Sequence, residues 1–180
     1  MLIIIAHRQI QEDSMVYGGH LMATSISSMR GAEDLAGYIA RNYRGREMEV
    51  GVGYYSEVAR LLEAQGLQVT LTDREERPLA GMKVEKDDIF SPRLELYRGA
   101  GLIYSIRPPL EIQLAIGVVA AEIEANVLIR PLMEEVARLP GFSRRLVNWG
   151  RASFYLYGRD KHNATETAGS SLRKADKLMK

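Results

Sequence analysis

Glu49-Val50-Gly51-Val52-Gly53-Tyr54-Tyr55-Ser56 is the segment whose residue types and spacing best suit ligand chemistry. Two glycines let a backbone approach a bound molecule closely. A helix beginning just after them would offer unpaired N–H groups and the positive end of its dipole to a negatively charged group. Asp73 follows Gly53 by 20 residues, the interval at which an acid ending the next strand accepts hydrogen bonds from ribose hydroxyls. Together these features point to an adenosine-containing ligand. Nicotinamide and flavin sites usually carry a third glycine, where this chain has Ser56, and they must cradle a pyrophosphate.

Other residues suit a neighbouring substrate. Arg107 and Arg130 each stand directly before a proline, in Ser105-Ile106-Arg107-Pro108-Pro109 and Leu128-Ile129-Arg130-Pro131. If both end adjacent strands, two guanidinium groups face one crevice, where they can hold a carboxylate or phosphate bidentately. Pairing with local acids or capping of backbone carbonyls is the alternative. Tyr54 and Tyr55 can shield a ligand or simply pack, and Trp149, in an expected hairpin turn, reads as a packing residue. Singly, Glu49 reads as a strand-end acid paired with Arg46 or a backbone amide, and Asp73 and Asp88 as turn caps.

The elements that must position these residues alternate. Leu35, Tyr38, Ile39 and Tyr43 recur at helical spacing before Gly45. A strand over 47–51 leads through the glycine turn to a helix with the stripe Val58, Leu61, Leu62, closed by Gly66. Gln68 to Thr72 is β-branched and ends at Asp73, completing a parallel strand-helix-strand unit. Between Arg74 and Ala100, Pro78 and Pro92 break the pattern, leaving room for one short strand at Met82 to Glu85. A buried-type strand over 102–106 precedes the clearest helix, with Ile112, Ala115, Ile116, Val119, Ala120 and Ile123 on one face, assigned to the core. A strand over 127–129 follows, and then an antiparallel pair, 144–148 and 153–157, closes the sheet. The expected fold is therefore α/β, with a mainly parallel sheet that binds ligands beyond the carboxyl ends of its strands.

The chain has 180 residues, enough for one domain, and no cysteine, which excludes a disulfide framework, a thiol nucleophile and cysteine-ligated metals. A reducing, cytoplasmic interior is the default compartment. The apolar opening Met1 to Ala6 is far shorter than the roughly 20 residues of a membrane span. Residues 1–30 read as a flexible leader, with a true start at Met22 or Met29 as one expectation, 31–160 as the domain, and 161–180 as a flexible basic tail. Residues 1–137 carry a net −6 and residues 138–180 a net +7. Such asymmetry suits RNA or another polyanion, although a charge block is more commonly a solvated surface.

Glu49-x-Gly51-x-Gly53 resembles the acid-x-Gly-x-Gly motif of the Rossmann-like (class I) S-adenosylmethionine-dependent methyltransferases. A carboxylate near an ammonium and a sulfonium is favourable where a pyrophosphate would be repelled. The resemblance implies that Glu49, Gly51, Gly53 and Tyr54 line the cofactor, that Asp73 holds the ribose, and that Asp88 and Ile89 receive the adenine. It extends over about residues 33–157, and the closing strand pair resembles the last two strands of that family. Methyltransferases that modify nitrogen place Asn or Asp before Pro-Pro-aromatic in the fourth turn. Here Ser105-Ile106-Arg107-Pro108-Pro109-Leu110 stands instead, making Arg107 and Ser105 the catalytic candidates. More narrowly, Asp87-Asp88-Ile89-Phe90 and the two Arg-Pro turns resemble a small archaeal family of this fold with no assigned reaction. The leading expectation is a SAM-binding protein acting on an anionic small molecule or a nucleic acid. A non-catalytic module for RNA or protein is the alternative, and an NAD-dependent enzyme, disfavoured by Glu49 and Ser56, the third.

Overall fold

A computed structural model describes residues 29–76, 78–79 and 81–159. Its elements are α1 (Ala32–Asn42), β1 (Arg46–Val50), α2 (Glu57–Ala64), β2 (Gln68–Asp73), β3 (Pro78–Leu79), β4 (Met82–Lys86), α3 (Leu94–Tyr97), β5 (Ala100–Ile106), α4 (Leu110–Ile123), β6 (Asn126–Arg130), β7 (Phe142–Trp149) and β8 (Ala152–Arg159). They form one sheet in the order β3-β4-β2-β1-β5-β6-β8-β7. Strands β4, β2, β1, β5 and β6 run parallel, whereas β8 pairs antiparallel with both β6 and β7. This is a Rossmann-like α/β fold.

The alternation of strand side chains separates two cores. On one face Met48, Val50, Ile103, Val127 and Ile129 pack with Ile116, Val119 and Ala120 of α4 and with Tyr97 of α3. On the other, Leu102, Tyr104, Leu128, Phe154 and Leu156 pack beneath α1 and α2 through Leu35, Ile39, Val58 and Leu62. Of the expected α4 stripe, Ile116, Val119 and Ala120 are buried and Ile112, Ala115 and Ile123 partly buried, whereas Leu110, Leu114 and Val118 on the outer face are exposed. No helix among the described residues is long and apolar enough to cross a membrane.

Two elements were not expected. Pro78 and Leu79 pair antiparallel with Lys83 and Met82 as the sheet edge, a position a proline tolerates because the edge needs no donor on its outer side. The single turn of α3 places Tyr97 in the core. Trp149 ends β7 and packs edge-on against Tyr38, with ring centroids 5.6 Å apart, so its role is packing. Of the expected leader, Met29 and Arg30 are described. Met29 packs against the α1–α2 core, and its N–H donates to Glu57 Oε2 at 2.7 Å. Residues 1–28 and the basic tail, with His7, His20 and His162, lie outside the described residues.

Candidate functional site

Parallel strands deliver their carboxyl ends to one edge, and the turns there hold the predicted residues. After β1, Gly51 and Gly53 adopt φ of 67° and 59°, left-handed values that cost an L side chain but not glycine. A Cβ at either position would meet nothing within 4 Å, so the backbone here faces open space. The Gly51 N–H donates to the Thr72 carbonyl at 2.9 Å, and the Gly53 N–H donates to Asp73 Oδ2 at 2.9 Å. The pair that the 20-residue interval singles out is thus joined by a hydrogen bond. Asp73 Oδ1 also accepts from the Glu75 N–H at 3.2 Å, the turn-capping role foreseen for it.

A cleft of about 410 Å³ lies over this turn, lined by Met29, Arg30, Gly51, Val52, Gly53, Tyr54, Tyr55, Ile106 and Arg107. Its size is in the range of about 300 to 1,000 Å³ that small-molecule sites occupy. Tyr54 and Tyr55 are exposed. Of the residues predicted for the site, Gly51, Gly53, Tyr54 and Arg107 thus share one cavity wall.

Glu49 is placed differently from what the cation argument requires. It is buried beneath α1 and α2, with 1% of its surface exposed, and its Oε2 accepts from the Tyr104 hydroxyl at 2.8 Å. Burial pushes its pKa up to about 8, against a smaller lowering by the Tyr104 hydrogen bond, so the carboxyl is mostly protonated at neutral pH. It offers no negative charge to a ligand's sulfonium. Glu47, two residues earlier on the same strand face, is also fully buried. Its Oε1 accepts from the Gly45 N–H, its Oε2 has no hydrogen-bond partner among the described residues, and burial raises its pKa.

Beyond β4, Asp88 Oδ1 accepts from the Phe90 N–H at 3.1 Å, and its other oxygen lies 3.9 Å from Arg74 Nε. Ile89 is buried in the core facing α4. The preceding Asp87 is the anchor of this loop. Its carboxylate accepts from the Tyr97 hydroxyl at 2.6 Å and the Arg93 N–H at 3.0 Å, and lies 3.5 Å from Arg93 Nε. Burial and Asp87 together raise the Tyr97 pKa. Neither Tyr104 nor Tyr97 stood out in the sequence. The only available signal was an aromatic with a polar tip inside an otherwise apolar run, which is buried only where it finds a partner.

At the end of β5, Ser105 is buried and its hydroxyl donates to the Val50 carbonyl at 2.6 Å, a bond between neighbouring strands. Its hydroxyl is thus committed to the sheet. Arg107 follows at φ 59°, is exposed, and its N–H donates to the Arg130 carbonyl at 2.6 Å. Arg130 is half-buried and does not line the cleft. Its Nη2 donates to the Arg30 carbonyl at 2.6 Å. Burial and the neighbouring charge of Arg107 both lower the Arg130 pKa.

The fold matches a solved chain described as "Putative methyltransferase yhhF from Escherichia coli", with a TM-score of 0.51 and 13% identity, covering 77% of this chain and 89% of that one. A UPF0146 protein of Archaeoglobus fulgidus is 42% identical over 130 residues, which is 72% of this chain and 96% of that relative. One from Methanothermobacter thermautotrophicus is 42% identical over 127 residues, 69% of this chain and 92% of the relative. Residues 32–159 match the family described as "Uncharacterised protein family (UPF0146)", and the chain belongs to that family.

Proposed function

We propose that the protein binds S-adenosylmethionine in the cleft after β1 and transfers its methyl group to an acceptor. The observation that carries this reading is the 2.9 Å hydrogen bond from Gly53 N–H to Asp73, which fixes an open, left-handed glycine turn against an acid at the tip of the adjacent strand. On this reading a nucleoside lies over the glycine turn with its ribose hydroxyls toward Asp73. Asp88, whose carboxylate is partly exposed beside Arg74, is the group left to meet the adenine amino group, since Ile89 is buried. S-adenosylmethionine, when bound, supplies an electrophilic methyl carbon. The chain's own task is to hold an acceptor in line with it, a positioning effect worth up to about 7 to 11 kcal/mol. Tyr54 and Tyr55 stand where they can cover the ligand and exclude water. Residence in a reducing cytoplasm belongs to the same reading.

The test is calorimetric titration of the full chain with S-adenosylmethionine and S-adenosylhomocysteine. Saturable binding that weakens at least about tenfold in Asp73→Asn is expected, the loss of one charge-assisted acceptor. Gly53→Arg serves as a second variant, checked for folding by circular dichroism because it forces a long side chain to positive φ. No heat at millimolar ligand ends the reading.

The commitment of the Ser105 hydroxyl to the Val50 carbonyl favours a second reading, a non-catalytic module that kept the fold and binds RNA or protein. The turn after β5 carries no carboxylate or amide side chain to orient an acceptor amine. Salt-dependent RNA binding without methyl transfer would favour that reading.

A further inference from the structure

Arg107, directly after β5, and Arg130, the last residue of β6, have no acid to neutralise them among the described residues. Arg107 and Arg130 are joined by a backbone hydrogen bond, which fixes the two residues side by side at the carboxyl edge of β5 and β6. Among the described residues neither forms an ion pair. Arg130 Nη1 is buried and has no acceptor there, although Nη2 is satisfied by the Arg30 carbonyl. Leaving a buried donor unpaired costs about 1 to 3 kcal/mol, and more when the group is charged. Arg107 adds its own cost by holding a left-handed φ of 59°. Backbone strain, like-charge proximity and an orphaned donor at one turn are what a binding site for an anion shows before its ligand arrives.

The sheet order also says which molecule the anion belongs to. Asp88 follows β4, Asp73 ends β2 and the glycine turn follows β1, whereas Arg107 follows β5 and Arg130 ends β6. With strands about 4.8 Å apart, Arg130 stands two strand spacings, about 10 Å, beyond the glycine turn, and roughly 19 Å from the strand that leads to Asp88. The adenosine half of a cofactor occupies the acidic end. Its sulfonium and ammonium gain nothing from approaching two guanidinium groups. We propose that Arg107 and Arg130 form an oxyanion receptor for a phosphate or carboxylate borne by the methyl acceptor. This deepens the methyltransferase reading and rests on it for the word acceptor, while the oxyanion site itself stands on the two arginines.

The experiment titrates the full, ¹⁵N-labelled chain with inorganic phosphate at low ionic strength and follows the arginine Nε–H resonances, assigned from the spectra of Arg107→Gln and Arg130→Gln. Saturable shifts of both resonances are expected, with phosphate affinity falling about ten- to a hundredfold in either variant, as for losing a charged hydrogen bond. Arg107→Lys should restore only part of it, because an ammonium lacks the planar fork. In parallel, calorimetry compares S-adenosylhomocysteine with 5′-methylthioadenosine, which lacks the amino-acid portion. Unchanged affinity for both in Arg130→Gln, whose residue lies outside the lining of the cleft, supports assignment to the acceptor. If S-adenosylhomocysteine alone weakens, the arginines hold the cofactor's carboxylate and the acceptor assignment is overturned. Phosphate binding in a chain that binds neither adenosine compound removes the cofactor reading and supports the oxyanion site. Absence of a saturable shift, or a phosphate affinity in folded Arg107→Gln and Arg130→Gln equal to that of the parent chain, overturns the site.

Discussion

Replacing Glu49 with Gln tests the most consequential electrostatic feature of the fold. The carboxyl is buried, and its pKa is raised from an ordinary 4.5 to about 8, chiefly by burial. Between those values the folded chain holds a proton that the unfolded chain has released, so the unfolded state binds fewer protons and stability must fall as pH rises. The contribution is fully present below about pH 4.5 and is lost by the time pH passes through 8. Integrated from pH 5 to pH 8 the loss is about 3 to 4 kcal/mol, or roughly 6 to 16 °C in Tm for a chain of this size. A glutamine keeps an acceptor for the Tyr104 hydroxyl but cannot ionise. Urea unfolding followed by circular dichroism at pH 5, 6, 7 and 8 should therefore show the parent losing stability steadily and Glu49→Gln nearly flat, the variant being the more stable at pH 8. Glu47 is shifted in the same direction and contributes a slope common to both proteins, so the difference isolates Glu49. Parallel slopes in the two proteins would refute the buried, protonated carboxyl. Affinity for S-adenosylhomocysteine at pH 7 should be unchanged in the variant, whereas a carboxylate facing the ligand would make it fall.

Tyr97→Phe removes the hydroxyl that donates to Asp87 at 2.6 Å and should cost about 1 to 3 kcal/mol in chemical denaturation, with weaker adenosine binding because the same loop carries Asp88. Gly31→Ala should destabilise by about 2 kcal/mol or more, since its Cβ would lie 2.7 Å from the Arg151 carbonyl oxygen at a φ of 79°; the shift in thermal midpoint reads this directly. Ser105→Ala should lose about 1 to 2 kcal/mol of stability while leaving S-adenosylhomocysteine affinity intact, because its hydroxyl serves the Val50 carbonyl; a calorimetric loss of cofactor binding would contradict that role.

Periodicity made the alternating strands and helices legible, because burial on two faces forces apolar runs into strands and one-sided stripes into helices. The short pieces β3 and α3 left no such trace. Two residues pairing at an edge and a single helical turn are too short for a period, and Pro78 reads locally as a breaker although the edge accommodates it. At the site, glycine identity and spacing located the turn because positive φ and open space demand glycine there. The orientation of acids was not legible. Glu49 and Asp73 look alike in sequence, yet strand parity sends Glu49 under α2 to Tyr104 while Asp73, at the strand's last position, is free of the layer and reaches the Gly53 amide. Ser105 was masked in the same way, its hydroxyl turned along the sheet to β1.

The segment just before α1 shows how the two halves of this edge depend on each other. Met29 and Arg30 line the cleft, although the family match begins two residues after them. Their backbone is held from both sides. Glu57, in the first turn of α2 next to the glycine turn, accepts the Met29 N–H at 2.7 Å, and Arg130, at the end of β6, donates to the Arg30 carbonyl at 2.6 Å. The glycine-turn half and the arginine half of the edge thus grip one short stretch of chain. The Glu57 carboxylate accepts a backbone donor at the helix start, where the dipole favours it, and one of the two guanidinium arms of Arg130 is spent on a carbonyl. Among the described residues, the second arm of Arg130 and the Arg107 guanidinium have no partner. An anion arriving there would meet one guanidinium, that of Arg130, already held through Nη2 by the Arg30 carbonyl, so part of the ordering entropy that weakens most surface arginine contacts would have been met during folding.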